Sequence, residues 1–122
     1  MKKMLLGILV ILVSVQSFAD QMTQKLTQDE YNRKIQEYTD QVNATKLILD
    51  EPDAVTDAKQ QKEAFCSRLE AYQNISMISK ENIQLDTANM MFVIANNFLE
   101  RQKQSFEASG MTSSVFCSSN GK

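Results

Sequence analysis

Between Asp20 and Ser109 the chain contains no glycine and a single proline, Pro52. Tight reversals that need positive φ or a fixed ring are therefore almost unavailable over that length. No stretch alternates apolar and polar residues in the manner of a half-buried strand, while Gln, Lys, Glu, Ala, Leu and Met, all good helix formers, abound. The predicted fold class is all-α: a small helical bundle of about three main helices, with a C-terminal tail tied back by one disulfide. At 122 residues the chain suffices for one modest core and not for two domains.

The first helix is signalled by Thr27-Gln28-Asp29-Glu30, a capping box, with Leu26 and Tyr31 placed for a hydrophobic staple. Tyr31, Ile35, Tyr38, Val42 and Leu49 then line one face, thickened by Leu47 and Ile48, and the helix must stop before Pro52. Pro52 suits the first turn of a second helix, with Asp50, Glu51 and Asp53 at its positive dipole end. Its predicted stripe is Val55, Ala58, Phe65, Leu69 and Tyr72, ending in a break near Ser79-Lys80-Glu81-Asn82. A third helix is predicted from about Ile83 to Ser109, closed by Gly110, with Ala88, Met91, Phe92, Ala95, Phe98, Leu99 and Phe106 facing the core. Ile83, Met90 and Ile94 form a second stripe on it. Two readings fit: this is the central helix, touching both others, or the stripe is a homodimer or partner interface.

Residues 1–19 read as a cleaved export signal. Lys2 and Lys3 precede an apolar run from Met4 to Val15, and Ser17-Phe18-Ala19 supplies small residues at the cleavage positions. The run is too short to span a bilayer, and no cysteine follows Ala19 to carry a lipid. Residues 20–122 are then one soluble helical domain, expected in the periplasm. There Cys66 and Cys117, the only two cysteines, have one possible intramolecular pairing. Closing a loop that long contributes about 4 kcal/mol in the chain-entropy model. If the second and third helices are antiparallel about a turn near residue 80, the tail from Gly110 must stretch back about 22 Å to reach Cys66. Val115 and Phe116 are its apolar pins, and residues 120–122 should fray.

Histidine and tryptophan are absent. That removes the imidazole base, the usual triad and histidine ligation, and two cysteines cannot complete a structural metal site. Asp50, Glu51 and Asp53 lack the glycine and later glutamate of a calcium loop, and Met90 and Met91 lack a copper-binding repeat. The expectation is no enzyme, no cofactor and no metal. Lys and Arg number 13 against 15 Asp and Glu, and because Lys2 and Lys3 leave with the signal, the mature chain carries a net charge of −4. Nucleic acid and anionic membranes are poor partners for it, and a cationic protein is a good one.

The export signal Met1–Ala19, the length, the helical pattern from Thr27 to Gly110 and the pair Cys66 and Cys117 together resemble periplasmic immunity proteins of bacterial type VI secretion systems. More narrowly, the chain is similar to the one that neutralises the lysozyme-like (muramidase) domain of a VgrG-type spike effector. The resemblance implies a partner, the cognate peptidoglycan hydrolase, whose active-site cleft is occluded, and often a dimer. It implies protection of the producing cell and its siblings. Catalytic carboxylates in such a cleft favour inserted donors, so the expected contact residues are Met77, Ser79, Lys80, Glu81 and Asn82, with Asp50, Glu51 and Asp53 as the second exposed corner. The alternative function is a periplasmic stress chaperone for unfolded clients.

Overall fold

The computed structural model describes residues 25–118. The expected export signal at residues 1–19, its expected cleavage site and residues 120–122 lie outside the described residues. The remainder forms α1 (Gln28–Leu49), α2 (Ala58–Glu81), α3 (Ala88–Ala108) and a short α4 (Ser113–Ser118). No strand occurs among the described residues, so the fold is the all-α bundle that the composition requires.

α1 begins as its capping box predicts: Thr27 Oγ1 accepts from the Glu30 N–H at 3.2 Å, and Glu30 Oε1 accepts from the Thr27 N–H at 3.1 Å. Leu26 packs against a cluster of Tyr31, Ile78 and Ala88, together with Ile35, Tyr38 and Leu85. Leu47, expected to thicken the inner face, is 71 % exposed. The buried place in that last turn goes to Thr45, whose hydroxyl donates to the Val42 carbonyl at 2.6 Å and accepts from Arg68 Nε at 2.8 Å.

α2 does not start at Pro52. Its N-cap is Asp57, in a second capping box with Gln60. Residues 51–57 form the connection, and Val55 within it is fully exposed, so extending the helix back to Pro52 would bury nothing. Ala58, expected in the apolar stripe, is exposed as well. Asp50 caps the C-terminus of α1 and binds Arg68 through both oxygens, at 3.1 and 2.9 Å. The acidic corner therefore joins the end of α1 to the side of α2 instead of capping α2.

The central helix is α2. α2 packs along α1 on one side and α3 on the other, and α3 is not central. Tyr31 opposite Ser79 and Gln41 opposite Ser67 fix α1 antiparallel to α2. Tyr72 stacked on Phe98 at 4.1 Å and Phe65 against Phe106 at 5.9 Å fix α3 antiparallel to α2. Two-sided contact explains why Ala64, Leu69, Ala71, Ile75, Ile78 and Ser79 are all buried on one helix.

α3 starts at Ala88, five residues later than predicted, after a turn through residues 82–87. The later start shortens the offset between Cys66 and the end of α3 to about 9 Å. The tail therefore has slack to coil into α4 instead of running extended. Gly110, at φ +75°, ends α3 in a Schellman motif: the Met111 N–H donates to Phe106 carbonyl and the Gly110 N–H to Glu107 carbonyl. Cys66 and Cys117 are disulfide-bonded, with Cα atoms 5.6 Å apart. Phe116 is an apolar pin as expected, but Val115 is 59 % exposed.

Candidate functional site

The five predicted contact residues straddle the end of α2, and the structure divides them. Met77 and Lys80 are exposed and Glu81 is half-buried, whereas Ser79 and Asn82 are fully buried. Ser79 Oγ shares a 2.7 Å hydrogen bond with the buried Tyr31 hydroxyl. Asn82 Oδ1 accepts from the Leu26 N–H at 2.8 Å, and its Nδ2 donates to the Ile78 carbonyl at 2.9 Å. Neither can insert a donor into a partner, which corrects their expected role. They are the frame behind a surface, not the surface.

That frame holds the turn 82–87 from several sides. Gln28 pairs with the Asp86 backbone in both directions: its Oε1 accepts from the Asp86 N–H at 2.8 Å and its Nε2 donates to the Asp86 carbonyl at 3.3 Å. Lys25 Nζ donates to the Glu81 carbonyl at 3.2 Å. Leu85 points back into the Tyr31 cluster. Thr87 closes the turn at φ +67°, a left-handed conformation costly for a β-branched residue, and makes no side-chain cap for α3. Burial pushes the Tyr31 phenol up, partly offset by hydrogen bonds from Ser79 and Thr87. These ties fix the closed end of the bundle as one rigid corner.

Met77 and Lys80 near the end of α2, and Ile83 and Gln84 in the turn, are all exposed. Ile83 belongs to this turn and not to α3, so the predicted stripe of Ile83, Met90 and Ile94 is split. Its helical part remains: Met90, Val93 and Ile94 are each roughly half exposed. Val93 was missed in the sequence, although it sits three residues after Met90 and thus on a neighbouring position of the same helix. From Ala88 to Leu99 this helix carries no charged residue.

Elsewhere, a cavity of about 350 Å³ opens beside the disulfide between α2 and α4, lined by Leu69, Glu70, Gln73, Ser113 and Ser114 with the two cysteines. Among the described residues, no group of three or more Cys, Asp and Glu side chains is placed to hold a metal ion, and no helix is long and apolar enough to cross a membrane. Comparison with known protein families, with curated proteins and with solved structures gives no match to this chain.

Proposed function

We propose that the protein is a periplasmic immunity protein that binds a peptidoglycan-degrading toxin delivered by a type VI secretion system and occludes its active site. The observation that carries the reading is the rigid corner: exposed apolar anchors, Met77 and Ile83, beside the donors Lys80 and Gln84, on a turn immobilised by buried Asn82 and Ser79. A preformed protrusion spends little ordering entropy on binding, and apolar anchors flanked by donors suit a cleft whose catalytic groups are carboxylates. The acidic mature chain adds attraction to a cationic hydrolase.

Two copies would pair through Met90, Val93 and Ile94. Two molecules of the same net charge repel least where charge is locally absent, as it is on this uncharged half of α3. Sedimentation of the mature protein should give a dimer, and Ile94→Asp should give a monomer of unchanged helicity.

The test is rescue. The muramidase domain of a VgrG-type effector, directed to the periplasm, is co-expressed with this protein with and without residues 1–19. Survival only with the leader supports the reading, and equal killing in both cases defeats it. A second reading, a stress chaperone, draws on the exposed Met90–Ile94 stripe. It requires suppression of aggregation of many unrelated clients, where an immunity protein acts on one.

A further inference from the structure

α4 has six residues, too few for a helix to persist in water unsupported. Its support comes from two neighbouring side chains. Phe116 meets the rings of Phe65 on α2 and Phe106 on α3, with centroids 6.0 and 5.6 Å away, and Lys62 Nζ lies 5.3 Å from its centroid. Cys117 is bonded to Cys66. Val115, Ser114 and Ser118 are exposed. The α1–α3 body draws on different residues: Tyr31, Ile75, Ile78, Ala88 and Ala95 are its buried core, and none belongs to α4 or the tail.

The crosslink is also reachable. Both cysteines line the open cavity between α2 and α4, so a small thiol can approach sulfur with the helical body intact. No second disulfide holds the tail, since Cys66 and Cys117 are the only cysteines in the chain.

We propose that the Cys66–Cys117 bond is a redox latch. Oxidised, it clamps α4 over an aromatic seat formed by Phe65 and Phe106. Reduced by an external dithiol, it frees α4 and bares that seat while α1–α3 remain folded. In the reaction a thiolate of the dithiol attacks one Sγ, the cysteine S–S bond breaks, and the other Sγ leaves as a thiolate and takes up a proton. The second thiol of the reagent, as its thiolate, then attacks the mixed disulfide and releases the first cysteine, which is also protonated. Two electrons pass to the protein, and the reagent leaves as its own disulfide. One chain thus has two surfaces: a closed one covered by α4 in oxidising surroundings, and an open aromatic one in reducing surroundings.

Amide hydrogen exchange on the mature protein tests this, comparing the oxidised form, the form reduced with dithiothreitol, and Cys66→Ser/Cys117→Ser. On reduction, the α4 amides should lose their protection by about tenfold or more, down to the level of an unfolded chain, while the amides buried in α1–α3 stay protected, lowered by no more than the lost loop closure accounts for. The double serine variant should match the reduced protein, and a dye that fluoresces on apolar surfaces should brighten with both. Phe116→Ala with the bond intact should brighten the dye less than reduction does, because the tether keeps the tail close. The proposal is overturned if α4 stays protected after reduction, or if α1–α3 become unprotected together with it. It also fails if reduction proceeds only at the rate of global unfolding, since the latch must open on a folded body.

Discussion

At the scale of single residues, Asn82 carries more of the closed end than its small size suggests. Its side chain satisfies the Leu26 N–H and the Ile78 carbonyl inside a region where it is itself fully buried. Asn82→Ala takes the acceptor from the part-buried Leu26 N–H, which costs about 1–3 kcal/mol. For a domain of this size each kcal/mol lowers Tm by about 4–8 °C, so thermal unfolding should show a loss well outside error, whereas Gln84→Ala beside it should be silent. Titration adds a second prediction. Hydrogen bonds from Arg68 hold the Asp50 carboxyl below its ordinary 3.8, and backbone and side-chain hydrogen bonds from Thr27 hold Glu30 below its ordinary 4.5. Both groups therefore bind protons more readily in the unfolded chain. Their contribution is complete above those ordinary values and is lost as pH falls through the lower folded ones. Tyr31, raised by burial, acts at the other limb: its contribution is complete below the ordinary 10.0 and is lost as pH rises toward the folded value. Stability measured against pH should fall at both ends, with the acid limb shallower in Asp50→Asn and the alkaline limb shallower in Tyr31→Phe. An acid limb unchanged in Asp50→Asn would show that the Arg68 pairing is not retained in solution.

At the scale of elements, two left-handed residues bracket α3 and should respond in opposite directions. Gly110 at φ +75° has open space where a Cβ would stand, so Gly110→Ala meets no clash and pays only the conformational cost of about 1–2 kcal/mol. Thr87 at φ +67° already pays a cost of that kind. Thr87→Gly should relieve it and raise Tm, less the added freedom of glycine in the unfolded chain, for a net gain of about 0.5–1 kcal/mol. A drop on Thr87→Gly would mean that its bond to Tyr31 outweighs the backbone strain. These same ends mark what the sequence could and could not tell. The Thr27 box and the Gly110 stop were readable because their partners lie within a few residues in the chain. The Asp57–Gln60 box was equally local, but Pro52 offered an earlier start signal, and only the exposure of Val55 decides between them. The start of α3 was not readable at all, because Gln28, far away in sequence, takes the Asp86 backbone out of helical pairing. Ser79 and Asn82 look like solvated turn donors until the start of α1 is seen to cover them. Asn82 did carry a local clue, since asparagine is favoured just past a helix end.

At the scale of the whole molecule, the separation of core and surface assigns the charge its task. Among the described residues the chain buries no unsatisfied side-chain polar atom, and the pairs Lys59–Glu63, Arg68–Asp50 and Lys103–Glu107 are at least partly exposed. Pairs of that kind add little to stability, so the acidic excess is not there to hold the fold. In the proposed function it acts at a distance, on the approach of a cationic partner. The association rate of the mature protein with the proposed hydrolase partner should therefore fall steeply as salt rises from about 0.01 to 0.15 M, where the screening length shrinks from about 30 to 8 Å. The dissociation rate should change little, because it is set by the desolvated contacts around Met77 and Ile83. Lys80→Glu separates the two effects: it makes the chain more acidic and so favours encounter, yet it removes a donor from the contact and so speeds dissociation. Stopped-flow association and dissociation measured across that salt range should show both changes. An association rate insensitive to salt would mean that the acidic surface does not steer the encounter, whatever the affinity proves to be.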